Sequence, residues 1–297
     1  MSETLNPRND AVFKLLFADA RNRELLISLL NAVLQPARPI LAVDVVNPEI
    51  QKDAPADRGL VLDIVAVHDD RTRTDVEMQS YARKGMPLRA LYHWARLFRH
   101  GIARGEDYRQ LHPCRVVFIL AHEQLPGTRF HGTFRALEVH DGTLFSDAFE
   151  IHTIELPKLA EVKAVDPEDG AAHDWARFFA AETDEERKQV AMRNQDIGKA
   201  NEALERLSQD PAARELAQAR EDQLLLFEAE LGTARQEGRE EGREEGIRTA
   251  MVAIEALCEV LDVELTPVRR SALIAMGTQE LTELLDGLRR QRRWPDH

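Results

Sequence analysis

Residues Leu62–Gln79, LDIVAVHDDRTRTDVEMQ, decide the fold, because two runs of strand-forming residues flank a polar turn. The first run sets Asp63 among apolar residues, and the second sets Glu77 between two apolar residues. This pattern predicts a β-hairpin. If the apex lies at Asp70, paired positions have numbers that add up to 140, and Asp63 falls opposite Glu77.

Two opposed carboxylates need a physical explanation. Directly opposed residues have Cβ atoms about 4.5–5.5 Å apart, where like charges destabilise a sheet. Either one acid is protonated or a cation lies between them, and Mg²⁺ prefers such oxygen ligands. The alternative is an edge hairpin with both acids in solvent. The apolar neighbours of Asp63 on both sides weigh against it, because a solvated strand alternates.

The other elements complete an order of helix, three strands, helix and strand. Helices are predicted over Ala11–Leu34 and Pro87–Arg104, and strands over Ile40–Val46, Leu60–Val67, Thr74–Gln79, Arg115–Ala121 and Glu150–Glu155. Asn9 or Asp10 is suited to cap the first helix. The order predicts an α/β layer with a hairpin and one helical crossover.

Length and composition limit the class of protein. The 297 residues carry a net charge of −13, of which residues 1–160 contribute −1 and residues 161–297 contribute −12. The two cysteines, Cys114 and Cys258, argue against a disulfide framework or a cysteine-rich zinc site. The chain has no apolar run of membrane-spanning length and no signal-peptide pattern, so we expect a cytoplasmic protein with no membrane partner.

The chain divides into three predicted segments. Residues 1–165 form the α/β domain, residues 166–246 an acidic helical extension, and residues 247–297 a small helical segment. The extension ends in GREEGREEG, with glycines at Gly238, Gly242 and Gly246. Each glycine costs a helix about 1 kcal/mol relative to alanine. The repeat is therefore either an oligomerisation segment, with homo-oligomers formed through the C-terminal helices, or a flexible connector.

The predicted helix from Pro87 carries a basic stripe. Arg89, His93, Arg96 and His100 follow one another at helical spacing, with Leu91, Ala95, Phe98 and Ile102 on the opposite side. We expect the apolar side to pack on the sheet and the basic side to bind a DNA backbone, which such a stripe attracts independently of sequence. The alternative is a solvated helix face.

Several segments resemble the recombination-promoting nuclease (Rpn) / putative transposase family of the PD-(D/E)xK nuclease superfamily. They are NPRNDAVFKLLF, ELLISLLNAVLQP, LDIVAV, DVEMQ, RALYHWARLF, ARGEDYRQLHP and IELPKL, followed by the Glu-Gly repeat. The resemblance implies a PD-(D/E)xK core of αβββαβ order with an α-helical C-terminal extension. It also implies that Asp63 and Glu77 bind Mg²⁺, or Mn²⁺ or Ca²⁺, and that Gln79 stands where the superfamily usually has the catalytic lysine.

The missing lysine leaves the source of positive charge open. Lys14, Lys52 or Arg58 could supply it, and the sequence does not choose among them. Asp10, in the family-like pattern Asp-x-x-Phe-Lys, is a further accessory candidate together with Lys14 and Arg58. Its alternative role is that of a helix cap, with Lys14 as an ordinary i,i+4 partner.

The first functional hypothesis is a Mg²⁺-dependent DNA endonuclease, linked to recombination or mobile elements, with Asp63, Glu77 and Gln79 as catalytic residues. The second is a catalytically decayed DNA-binding or interaction protein of a mobile element, which the glutamine favours. A glycoside hydrolase is a third class built on paired carboxylates. It is disfavoured because the sequence lacks an aromatic-rich sugar platform.

Overall fold

A computed structural model of the protein describes residues 4–46, 64–82 and 84–295. Its centre is a six-stranded mixed sheet in the order β1-β2-β3-β4-β6-β5. The strands are β1 Val43–Val46, β2 Ile64–His68, β3 Arg73–Gln79, β4 Cys114–Leu120, β5 His131–Arg135 and β6 Phe149–Glu155. Strands β1, β2 and β3 pair antiparallel, β3, β4 and β6 pair parallel, and β5 pairs antiparallel with β6.

Helices pack on both faces of this sheet, and further helices follow along the chain. They are α1 Asp10–Phe17, α2 Arg23–Leu34, α3 Met86–Arg99, α4 Gly170–Ala180, α5 Asp184–Ala191, α6 Gln195–Leu207, α7 Pro211–Val260, α8 Pro267–Ala275 and α9 Thr278–Gln291. Helices α1, α2, α4 and α6 pack on one face of the sheet, and α3 packs on the other. Helix α3 connects the parallel strands β3 and β4, so the predicted hairpin with one helical crossover is confirmed. Strand β5, which is short and lies at the sheet edge, was not predicted.

The predicted single helix over Ala11–Leu34 is wrong in one respect, because it is two helices. Helix α1 ends at Phe17, and a 3₁₀ turn over Ala20–Asn22 precedes α2. The Asp19 side chain accepts a hydrogen bond from the Arg21 N–H at 2.8 Å, and the Asn22 side-chain amide donates to the Leu16 carbonyl at 2.9 Å. Such local bonds compete with helical ones, which explains the break.

The predicted hairpin register is confirmed wherever the two strands are described. Ile64 lies opposite Val76 and Val65 opposite Asp75, so the paired numbers add up to 140. Asp63 itself lies outside the described residues. Because side chains alternate along a strand, Asp75, Glu77 and Gln79 share one face of β3.

The other face of β3 belongs to the main hydrophobic core. Val76 and Met78 are buried there with residues of α1, α2, α4 and α6. Aromatic rings fill its centre, where Phe17 contacts Trp175 edge-on with ring centroids 5.6 Å apart. The face that carries Glu77 is covered by α3, whose Met86 and Ala90 form a smaller cluster with residues of β4 and β6.

The chain forms two compact units that divide within α7, residues 1–221 and residues 222–297. Helices α4 and α6 contribute to the core of the first unit. In the second unit, buried residues of α7, α8 and α9 form a separate small core that includes Ile254, Leu273 and Leu281. The division into three functional segments stays a prediction.

Candidate active site

Strand β3 buries three polar side chains in a row on one face. Asp75, Glu77 and Gln79 are 1%, 7% and 6% exposed. A buried charge is costly unless it is paired and hydrogen-bonded. The fold tolerates these side chains only because something compensates them.

Two side chains of α3, Arg89 and His93, provide part of that compensation. The guanidinium of Arg89 donates from Nη2 to Glu77 Oε1 at 2.5 Å. One helical turn later, His93 Nδ1 lies 3.1 Å from Asp75 Oδ2 and 3.6 Å from Glu77 Oε2. Residues four apart on a helix are neighbours, as are residues two apart on a strand face. The spacings of the two elements therefore match, and Arg89 and His93 lie over Glu77 and Asp75.

Gln79 completes the row on β3. Its amide nitrogen Nε2 donates to Glu77 Oε1 at 3.3 Å, the same oxygen that accepts from Arg89. The amide of Gln79 thus points at the Glu77 carboxylate, with which a lysine ammonium at position 79 would form an ion pair.

Four buried polar atoms of this cluster have no hydrogen-bond partner among the described residues. They are Asp75 Oδ1, Glu77 Oε2, Gln79 Oε1 and Arg89 Nε. Buried polar atoms are nearly always paired in native proteins, so these atoms need partners such as water or a bound ion. The three acceptor oxygens suit a bound cation, and the one N–H donor suits an anionic oxygen.

The donor chemistry fits a hard divalent cation. Carboxylate and amide oxygens are the ligands that Mg²⁺ and Ca²⁺ take in proteins. Within residues 4–46, 64–82 and 84–295, no three or more His, Cys, Asp or Glu side chains are arranged to hold a metal ion. Asp63, the predicted second ligand, and Arg58, the predicted accessory cation, lie outside these ranges.

Asp10 and Lys14 lie on α1. Asn9 caps this helix, since its side chain accepts from the N–H groups of Ala11 and Val12, so Asp10 is not the cap. Asp10 is buried, and Arg220 of α7 contacts both of its carboxylate oxygens, from Nε to Oδ1 at 2.8 Å and from Nη2 to Oδ2 at 2.6 Å. A catalytic role for Asp10 or Lys14 stays a prediction.

The predicted orientation of α3 is wrong. Leu91 and Ala95 are exposed, whereas Arg89 and His93 face β3. The buried residues of α3 are Met86, Ala90, His93 and Leu97, so the packed side is mostly apolar and includes one residue of the basic stripe. His93 is buried there because Asp75 of β3 lies across from it. Arg96 is half-buried and His100 is exposed. DNA binding by Arg89, His93, Arg96 and His100 stays a prediction.

Sequence reasoning missed the participation of Asp75. The alternation Asp-x-Glu-x-Gln over β3 puts it on the face of Glu77, and that signal was available. His93 was expected at the surface, because nothing local to the helix reveals that a buried carboxylate lies across from it.

A second buried polar network links β5 and β6. Glu150 accepts from Arg115 Nε at 2.8 Å and from Arg135 Nε at 2.7 Å, and His152 Nε2 lies 3.6 Å from it. Burial raises the pKa of Glu150, but His152, Arg115 and Arg135 outweigh burial and bring it to about 2. This carboxylate is saturated with partners, unlike Glu77.

In this mixed sheet, the third strand carries buried acid and amide side chains, and a helix connects it to the parallel fourth strand. This combination defines a nuclease-like protein of the PD-(D/E)XK class. A family model described as PD-(D/E)XK nuclease family transposase matches residues 7–231. The chain therefore belongs to this family, and its resemblance to the Rpn-type family is confirmed.

No match was found among curated proteins or among solved structures. In the described part of the chain, no helix is long and apolar enough to cross a lipid bilayer.

Proposed function

We propose that the protein is a metal-dependent DNA endonuclease that acts in recombination or for a mobile element. The observation that carries this proposal is the cluster of unpartnered buried atoms around Glu77 and Gln79 in a chain of this family. A buried group of oxygens without partners is expected where a ligand completes the site.

Asp63 and Glu77 would hold Mg²⁺, with Mn²⁺ or Ca²⁺ as substitutes. The register supports this pair, since Asp63 precedes Ile64 in the chain and Glu77 follows its partner Val76. When bound, such a cation activates water and neutralises charge on a phosphoryl group. The carboxylates of Asp63 and Glu77 would balance the positive charge of this cation.

Gln79 would orient the attacking water or a phosphate oxygen. Its amide oxygen is buried and has no partner among the described residues, so it can accept a hydrogen bond from water. In the hydrolysis, the water oxygen bonds to phosphorus and loses a proton to solvent, the bond to the leaving ester oxygen breaks, and that oxygen takes up a proton from solvent.

Arg96 and His100 would bind the DNA backbone outside this cluster. Residues 1–160 are nearly neutral despite the acidic total, so the charge of the chain does not oppose DNA at this domain. Binding of this kind is independent of sequence and weakens as salt rises.

The test is cleavage of supercoiled plasmid with Mg²⁺, Mn²⁺ or Ca²⁺ and with EDTA. We expect Glu77→Gln and Asp63→Asn each to lower the metal-dependent nicking rate by at least 100-fold, because each removes a ligand charge. The exposed Glu161→Gln and Asp147→Asn are matched controls and should cleave like the wild type. Equal nicking by all five proteins would contradict the proposal.

The decayed, DNA-binding protein is the second candidate, and Gln79 in place of lysine favours it. It requires DNA binding that weakens with salt and no cleavage with any of the three metal ions. Cleavage that depends on Glu77 excludes it.

We further propose a cytoplasmic protein that forms homo-oligomers through its C-terminal helices. A Cβ atom at Gly238 or Gly242 would meet nothing within 4 Å, so the surface there is open to another helix. A molar mass of the full chain measured by light scattering tests this. The mass of a single chain at all concentrations would favour the connector instead.

A further inference from the structure

Arg89 is the cation that contacts the central carboxylate of the site. Its Nη2 lies 2.5 Å from Glu77 Oε1, while its Nε is buried and has no hydrogen-bond partner among the described residues. An arginine presents several N–H donors in a rigid planar fork that matches the oxygens of a phosphate. One arm of this fork is engaged by the carboxylate, and another N–H is available for an anionic oxygen.

The start of α3 fixes Arg89 in this place. Gly85 precedes the helix with a φ of +76°, a left-handed conformation that favours glycine. Pro87 occupies the first turn, and the Arg89 N–H donates to the Gly85 carbonyl at 3.0 Å. The side chain therefore leaves the first turn of α3, and it is 29% exposed. Part of the Arg89 side chain is therefore accessible from solvent while its Nη2 contacts Glu77.

Gln79 and Arg89 converge on one oxygen atom. Gln79 Nε2 lies 3.3 Å from Glu77 Oε1, the atom that Arg89 contacts. A positive charge placed at either position would act on the same point of the site. The neutral amide of Gln79 leaves this task to the guanidinium of Arg89.

We propose that Arg89 is a catalytic residue of the phosphodiester hydrolysis, which it assists by donating to a phosphate oxygen and offsetting the charge that develops there. The inference rests on the proposed function. Without DNA the guanidinium neutralises Glu77, and with DNA an N–H on the exposed part of its fork donates to the phosphate. Arg89 acts as a fixed cation and transfers no proton, because a guanidinium group is not deprotonated in proteins.

The experiment compares plasmid cleavage by Arg89→Ala, Arg89→Lys, Gln79→Lys and the double variant Gln79→Lys/Arg89→Ala in Mg²⁺. We expect Arg89→Ala to lower kcat by about 10²–10³-fold, as does loss of a donor to developing charge. Arg89→Lys and the double variant should each have a kcat at least tenfold higher than that of Arg89→Ala, because each returns a cation to Glu77 Oε1. Arg206→Ala, a change of an exposed arginine in α6, is the control.

Rescue separates a catalytic role from a structural one. Melting temperatures and circular dichroism check the fold, and Arg89→Met replaces Arg89→Ala in both comparisons if alanine unfolds the protein. A kcat of Arg89→Ala or Arg89→Met within threefold of wild type overturns this inference alone. Loss of cleavage without rescue by either lysine variant also overturns it. Absence of cleavage by the wild type instead overturns the proposed function, and the inference falls with it.

Discussion

Glu77 shows how one residue can be both buried and unsatisfied. Its Oε1 accepts from Arg89 and Gln79, while its Oε2 has His93 Nδ1 at 3.6 Å, beyond a hydrogen bond. Arg89 therefore balances the charge of Glu77, while part of the hydrogen-bonding capacity of this carboxylate remains unused.

We expect His93→Leu to lower the free energy of unfolding by about 3 kcal/mol, because it leaves the buried Asp75 without its partner. Urea unfolding followed by circular dichroism measures the change. His100→Leu at the exposed end of the same helix is the matched control and should cost no more than about 0.5 kcal/mol. Equal losses in the two variants would show that the His93–Asp75 pair stabilises nothing.

Glu150 gives the first unit a dependence on acid. Its pKa is lowered from 4.5 to about 2 in the folded protein, so its contribution to stability is present above pH 4.5 and is lost as pH falls to about 2. Glu150→Gln should lower the free energy of unfolding by about 2 kcal/mol at pH 6, as expected for hydrogen bonds to a charged group. The difference should vanish near pH 2.

Urea titrations of both proteins from pH 6 to pH 2 measure this. The exposed Glu161→Gln serves as the control. A difference between wild type and Glu150→Gln that stays constant over this pH range contradicts the assignment to the charged form.

At the scale of elements, the turn before α3 positions the Arg89 side chain. Gly85 has a positive φ, and a Cβ there would meet no atom within 4 Å, so strain and not crowding limits substitution. We expect Gly85→Ala to lower the free energy of unfolding by about 1 kcal/mol. Gly170→Ala is the matched control, because Gly170 begins α4 with helical φ and also has open space, and it should be neutral or stabilising.

Thermal or urea unfolding of both glycine variants measures these effects. A Gly85→Ala protein as stable as the wild type would mean that the turn relaxes to another conformation at little cost. Cleavage by this variant reports in addition on how strictly Arg89 must be positioned.

Elements could be predicted where the signal was local. The hairpin register followed from the polar turn after Val67, and the buried strand β4 followed from a continuous apolar run. Strand β5 has only five residues and lies at the sheet edge, so its pairing with β6 outweighs its own weak pattern. The break between α1 and α2 depends on side-chain bonds from Asp19 and Asn22, which compete with helical bonds in a way that periodicity does not show.

The sequence predicts the acidic residue of the candidate site on β3 but not that residues of α3 lie against it. Glu77 and Gln79 share a face by strand alternation, which the sequence displays directly. Arg89 and His93 were placed on the outer side of α3, because a helix with charged residues on one side ordinarily turns that side to water. Only the position of the helix across β3 reveals that Arg89 and His93 lie against Glu77 and Asp75.

At the scale of the whole chain, α7 begins in the first unit and holds part of it together. Arg220 of α7 contacts the buried Asp10 of α1, a residue 210 positions earlier. Arg220→Met should lower the free energy of unfolding of this unit by about 3 kcal/mol, because it leaves a buried carboxylate unpaired. The exposed Arg235→Met of the same helix is the matched control.

Chemical denaturation with a reporter of the first unit, such as the fluorescence of the buried Trp175, follows this change. If the free energy of unfolding falls by no more than about 0.5 kcal/mol, the attraction between Asp10 and Arg220 only offsets the cost of burying their charges. The result also tests whether the first unit needs the start of α7 to fold.

The convergence of positions 79 and 89 on one carboxylate oxygen has an evolutionary consequence. Either position can carry the cation, and two cations there would compete for the same atom. In an alignment of related sequences, the two positions should covary, with arginine at 89 accompanying glutamine at 79 and a neutral residue at 89 accompanying lysine at 79. Under the proposed role of Arg89, the two positions therefore change together, and the positive charge at this carboxylate oxygen is kept.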